Sequence, residues 1–129
     1  MILTIRTDKP ESEIGLYDNG KGLDYCIWQA HRELAETINS KIDELLKLND
    51  AKYADLTGIV VYKGPGSFTG LRIGISVANA IAYAGNIPIC GAIGDNWIEI
   101  GLNAISDVPI GHYELPEYGT PVHITSPKK

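Results

Sequence analysis

The sequence predicts an α/β unit built on a mixed five-stranded sheet, a three-stranded meander plus two parallel strands, with helices packed on it. Three observations carry this expectation. The first thirty residues hold three short apolar or alternating runs separated by polar turn residues. Two later runs, Gly58-Ile59-Val60-Val61-Tyr62 and Ile87-Pro88-Ile89-Cys90-Gly91, are each preceded by a stretch of helical period. A helical crossover returns the chain in the same direction, which sets the fourth and fifth strands parallel to the first. At 129 residues the chain is most simply one domain, large enough to bury roughly two-thirds of its unfolded surface.

Residues 2–5 form the first strand, followed by polar Arg6-Thr7-Asp8-Lys9-Pro10. Glu13-Ile14-Gly15-Leu16-Tyr17 alternates loosely and enters Asp18-Asn19-Gly20, a strong hairpin turn, and residues 23–28 return as the third strand. Over 32–48 the period changes: Leu34, Ile38, Ile42 and Leu45 recur at three and four, with Glu33, Glu36, Asp43 and Lys47 opposite. That is an amphipathic helix with one core face, ended by Asn49-Asp50. Residues 59–62 are continuously apolar, as suits a strand covered on both faces.

The next stretch is Lys63-Gly64-Pro65-Gly66-Ser67-Phe68-Thr69-Gly70-Leu71-Arg72-Ile73-Gly74, a glycine-rich turn opening a helix over 68–84. Gly64 and Gly66 reach backbone angles closed to other residues, and Ser67 is placed to cap the helix. Free N–H groups at a helix start can hold an anion, so Gly64, Gly66 and Ser67 are candidate anion or nucleotide contacts. The spacing matches neither Gly-x-x-x-x-Gly-Lys-Ser/Thr nor Gly-x-Gly-x-x-Gly, and a structural turn explains the residues as well.

On this helix Arg72, Ser76, Asn79 and Tyr83 cluster within about 60°, which leaves an apolar or small arc of about 220°, twice what covering one sheet requires. Burial on two sides is expected. Gly70, Gly74, Ala78 and Ala82 repeat every fourth residue as a strip without bulk, and an interior glycine costs about 1 kcal/mol against alanine. Either this chain's own sheet and first helix or a helix from a partner fills that strip. Residues 87–91 form the fifth strand with Pro88 near its start, and 95–104 a short helix capped by Asp95. The unit thus spans 1–105. From 106 to 129, Pro109, Pro116, Pro121 and Pro127 exclude regular helix, and extended surface wrapping is expected.

Chemistry-bearing patterns are sparse. His31, His112 and His123 have no partners at zinc-ligand spacing, and no Gly-x-Ser-x-Gly or His-Glu-x-x-His occurs, so neither a metal site nor catalytic residues are expected. Asp8, Glu11 and Glu13 are the one acidic cluster that can face a cleft, and a solvated turn accounts for them equally. Cys26 and Cys90 lie in separate strand-like runs, as core thiols rather than a disulfide. The net charge is −5 with 11 scattered basic residues, which argues against direct nucleic-acid binding. No apolar run approaches a membrane span or a signal peptide, so a cytoplasmic protein is expected.

The run Gly64-Pro65-Gly66-Ser67-Phe68-Thr69-Gly70-Leu71-Arg72-Ile73-Gly74 closely resembles the signature of the TsaB (YeaZ) family of bacterial tRNA threonylcarbamoyladenosine biosynthesis proteins. Ala78-Asn79-Ala80-Ile81-Ala82, Ile87-Pro88-Ile89, His31-Arg32-Glu33-Leu34 and Ile42-Asp43-Glu44-Leu45-Leu46 extend the resemblance over roughly 1–105. It implies a ribonuclease-H-like, actin-like ATPase lobe acting as a non-catalytic scaffold that pairs with the ligase TsaD. On this resemblance the interface falls on Leu34, Ile38, Gly70, Arg72, Gly74, Ile75, Ala78 and Ala82, with a homodimer through the same helices when TsaD is absent. TsaE, an ATPase, joins the assembly, no cofactor binds this chain alone, and ATP and a metal belong to the partner subunits.

Two departures stand out. The family carries Asp-Thr-Ser after its first strand, where this chain has Arg6-Thr7-Asp8, so a base replaces the acid and ATP hydrolysis by the chain becomes less expected. Typical members also carry a second lobe of comparable size. Here the segment 106–129 stands in its place, as expected either of a naturally minimal member or of a truncated sequence, and a site built between two lobes would be incomplete. The alternative class is a small nucleotide-binding or hydrolysing, peptidase-like enzyme of the same superfamily, told apart by ATP-dependent thermal stabilisation.

Overall fold

The computed structural model of the chain describes residues 1–117. Strands β1 (Ile2–Arg6), β2 (Glu11–Asp18) and β3 (Lys21–Gln29) form the meander, and β4 (Gly58–Gly64) and β5 (Ile89–Ile93) complete the sheet in the order β3-β2-β1-β4-β5. β1 pairs antiparallel with β2 and parallel with β4, and β4 pairs parallel with β5. The expected mixed sheet is therefore present. Asn19 and Gly20, with φ of 52° and 78°, make the two-residue turn whose twist matches a hairpin.

Helix α1 (Leu34–Leu48) follows a single 3₁₀ turn at His31–Glu33, so the helix proper starts two residues later than the period suggests. Helix α2 (Phe68–Gly85) ends at left-handed Asn86, where the Ile87 N–H donates to the Ala82 carbonyl at 3.0 Å. Helix α3 (Trp97–Ala104) closes the unit. Alternation along the strands divides these helices between the two faces. Leu3, Ile5, Ile14 and Leu16, all fully buried, point toward α1 and α2. On that side Trp28 Nε1 donates to Thr37 Oγ1 of α1 at 3.0 Å. Val60 and Tyr62 point the other way, to α3: the Trp97 ring meets Tyr62 edge-on at 5.8 Å, and a side chain at Gly101 would collide with Val60.

Three local expectations are corrected. Ser67 occupies the position before α2 but makes no side-chain cap bond; its N–H donates to the Asp8 carbonyl at 3.3 Å, so the turn is fastened through its backbone. Asp95 does not cap α3, which begins at Trp97 with Asn96 before it and again no side-chain cap. β5 starts at Ile89 rather than Ile87, and the Pro88 carbonyl accepts from the Ile59 N–H at 3.0 Å as the first bond of the parallel ladder. Cys26 and Cys90 are free thiols on opposite edge strands. Beyond α3, Ile105–Asp107 is a 3₁₀ turn and 108–117 runs back beside β5 to the end of β4 without regular structure. The remainder of the 106–129 segment, with His123, Pro121 and Pro127, lies outside the described residues.

Candidate interface on the two helices

The glycines of α2 are explained by this chain's own first strand. A Cβ on Gly70 would strike the Thr7 carbonyl, and one on Gly74 would strike the Thr7 hydroxyl. That hydroxyl donates to the Gly70 carbonyl at 2.7 Å, so strand end and helix are locked at a distance only glycine permits. Leu71, Ile75, Ala78 and Ala82 continue the same buried side, and Leu34 and Ile38 of α1 are buried in the same cluster. The expectation that Leu34, Ile38, Gly70, Gly74, Ile75, Ala78 and Ala82 face a partner is thus corrected: β1, β4 and the two helices fill that space themselves. Of the expected interface residues, Arg72 alone is exposed, its guanidinium 5.4 Å from the Phe68 ring centroid.

The apolar excess on α2 emerges one strip further round. Ile73, Val77 and Ile81 are half-buried, and Ala80 and Ala84 are exposed. Together with Ala35 of α1 they form the floor of a groove between the helices. One pocket of 310 Å³ lies between Ala35, Thr69, Arg72, Ile73, Ser76 and Val77. A second, of 640 Å³, lies between Asn39, Tyr53, Ala80, Ile81, Ala84 and Ile87. This face is apolar along its floor, small-residued on α2 and framed by polar Asn39, Arg72 and Ser76. A surface of that make-up accepts helices. The 3.6-residue period could have located it as the rows one position beyond the glycine strip.

The glycine-rich turn is built differently from a phosphate cradle. Gly64, at φ 133°, lies against the Glu117 carbonyl, and Gly66 lies against the Asp8 side chain, where any Cβ would overlap it. Asp8 is nearly buried and accepts from Arg6 Nε at 2.7 Å, while the Arg6 guanidinium stacks 4.0 Å from the Tyr62 ring centroid. Arg6 is pulled down by burial, yet the Asp8 carboxylate outweighs this and holds it above its ordinary value. The base at the end of β1 therefore neutralises the acid two residues on. Ser67, Thr69 and Gly70 line a 390 Å³ pocket with Lys9, His31, Arg32 and Asp8, two cations, an imidazole and a carboxylate together.

The acidic cluster does not assemble. Glu13 accepts from the Tyr25 hydroxyl at 2.7 Å, Glu11 accepts from the Gln29 amide at 3.0 Å, and Asp8 is bound to Arg6. Among the described residues no three His, Cys, Asp or Glu side chains converge as metal ligands, and no helix is long and apolar enough to cross a membrane.

Comparison with known proteins falls on this same region. The family model described as TsaD, tRNA N6-adenosine threonylcarbamoyltransferase, matches residues 28–92, from the end of β3 through α1, β4 and α2 into β5. A tRNA N6-adenosine threonylcarbamoyltransferase of Geotalea daltonii is 39% identical over 98 residues, covering 74% of this chain and 28% of that protein. The tRNA threonylcarbamoyladenosine biosynthesis protein TsaB of Escherichia coli is 29% identical over 90 residues, covering 70% of this chain and 38% of that protein. The solved structure of YeaZ from Pseudomonas aeruginosa superposes with a TM-score of 0.66 at 25% identity, over 71% of this chain and 43% of that one. The chain thus spans less than half the length of each of these relatives.

Proposed function

Because this chain belongs to the family of TsaD and TsaB (YeaZ) proteins, we propose that it acts in tRNA threonylcarbamoyladenosine formation as a non-catalytic subunit that pairs with a TsaD-like ligase. The observation that carries this reading is the groove floored by Ala35, Ile73, Val77, Ala80, Ile81 and Ala84. The segment that the TsaD model matches contains both helices of that groove. A TsaD-like partner therefore carries a related pair of helices, and two related faces can pack about an approximate twofold axis. Alanines at 35, 80 and 84 let helix axes approach, and the two pockets receive the partner's larger apolar side chains.

In this role the chain contributes shape rather than chemistry. It holds the partner's helices, while ATP, a metal and the transfer step belong to the ligase and to a TsaE-like ATPase. The Arg6–Asp8 pair supports the same division, since the carboxylate nearest the glycine-rich turn is already engaged. Without a TsaD-like protein the same face serves a homodimer.

The test is co-expression of the full chain with the TsaD-like protein of the same genome, followed by size-exclusion chromatography with light scattering. A stable one-to-one complex is expected. A monomer that persists with and without the ligase would sink the reading. ATP-dependent thermal stabilisation of the chain alone would favour the nucleotide-binding alternative.

A further inference from the structure

A second built surface lies on the side of α2 that carries Asn79. The segment 112–117 runs from Asn79 past Gly91, the middle of β5, to the carboxyl end of β4, and is fastened at Glu114 and Glu117. Asn79 meets the backbone of Glu114 twice, donating from Nδ2 to its carbonyl and accepting its N–H at Oδ1, both at 3.0 Å. The Glu114 carboxylate is nearly buried; Oε1 accepts from Lys63 Nζ at 3.0 Å, and Oε2 accepts from the Gly91 N–H at 2.8 Å and faces His112 Nε2 at 2.8 Å. The Glu117 N–H donates to the Lys63 carbonyl at 2.6 Å. Gly91 and Gly64 are shaped to this segment. A Cβ on Gly91 would stand 2.6 Å from Lys63 Cδ and 2.7 Å from Glu114 Cδ, and one on Gly64 would overlap the Glu117 backbone.

These are the elements of peptide recognition: a side-chain amide reading one residue's backbone in both directions, a strand end reading the next fastening point, and a cation with a free strand N–H reading one carboxylate. None of them belongs to the apolar core, and the strap's exposed Tyr113 and Leu115 add little burial. We propose that the notch formed by Lys63, Asn79 and Gly91 is a docking site for an extended segment bearing a glutamate, filled in cis by residues 112–117, which form a removable strap beside the glycine-rich turn. The strap covers the carboxyl end of β4 at Lys63 and Gly64, the end of an open α/β sheet where ligands are taken. Its release uncovers Gly64 and Gly91 together. The inference does not rest on the pairing proposed above, because the groove and the notch use different residues of α2.

The test uses the full chain and amide hydrogen exchange read residue by residue. In Glu114→Gln, the Gly91 and Glu117 amides should exchange at least tenfold faster, with Ile5 and Val60 unchanged. A synthetic peptide of residues 111–117 added to that variant should slow Gly91 exchange again, and the same peptide with Gln in place of Glu114 should not. Unchanged exchange at Gly91 and Glu117, or no discrimination between the peptides, overturns the proposal. So does acceleration of the whole sheet together, which would make the strap part of the cooperative core. Lys63→Met, read in the same way, replaces the first variant if that one fails to fold; failure of both to fold also overturns it.

Discussion

Two strips of α2, one residue apart in register, make opposite uses of small side chains. The inner strip, Gly70, Gly74, Ala78 and Ala82, lies on the protein's own sheet, and its glycines meet Thr7 so closely that no Cβ fits. The outer strip, Ile73, Val77, Ala80, Ile81 and Ala84, lies open or half-open over a groove. The difference teaches that a missing Cβ marks a contact already made inside the chain. The face we propose for a partner is instead merely apolar and shallow.

The largest expected effect breaks the inner strip. Gly74→Leu forces a branched side chain into the Thr7 hydroxyl and should destabilise the fold by about 3 kcal/mol or more, read from thermal or urea melts. If the variant instead melts like the parent and only fails to associate, the assignment of the two strips is reversed. The next effect sharpens the outer strip. Ala80→Glu is exposed and should change stability by no more than about 0.5 kcal/mol. Placed at the centre of the apolar floor, it should weaken association with a TsaD-like partner by at least about 2 kcal/mol, the scale of an unpaired buried charge at a hot spot, measured by titration calorimetry.

The third side of α2, at Asn79, gives the smallest effect. Burial pushes the Glu114 carboxyl up, but His112, the Gly91 N–H and Lys63 together hold it below the ordinary glutamate value. A carboxyl lowered in the folded state contributes stability above its unfolded pKa and loses it as pH falls through the folded one. The melting difference between the parent and Glu114→Gln should therefore be constant near neutrality and shrink below about pH 4.5. A difference that grows on acidification would contradict the assigned pairing.

The sheet was legible because its signals are local: Asn19-Gly20 fixes the hairpin, and the two helical stretches fix the parallel crossovers. The existence of an apolar surplus on α2 was legible too, from an arc too wide for one sheet. Which side of that arc met the sheet was not. A strip of small residues admits a strand's carbonyl and a partner's helix equally well, and only the position of Thr7, more than sixty residues away in sequence, decides between them. The capping roles of Ser67 and Asp95 were misread for a related reason: residue type permits a cap, but backbone bonds such as Ser67 N–H to Asp8 had settled the turn first. Glu114 left no trace in any periodicity. Its partners Lys63, Asn79 and Gly91 are far away in the chain and converge only once the sheet exists.

The bond between Glu114 and Gly91 has one more consequence, for how the molecule behaves in company. β5 is an outermost strand, and an outermost strand normally offers its spare N–H groups to any passing chain as a template for growth. Here that offer is withdrawn at Gly91, because a carboxylate already holds the N–H and sets a negative charge beside it. The seated strap thus also guards that part of the edge: a second copy approaching β5 at Gly91 meets an N–H already taken and a negative charge beside it.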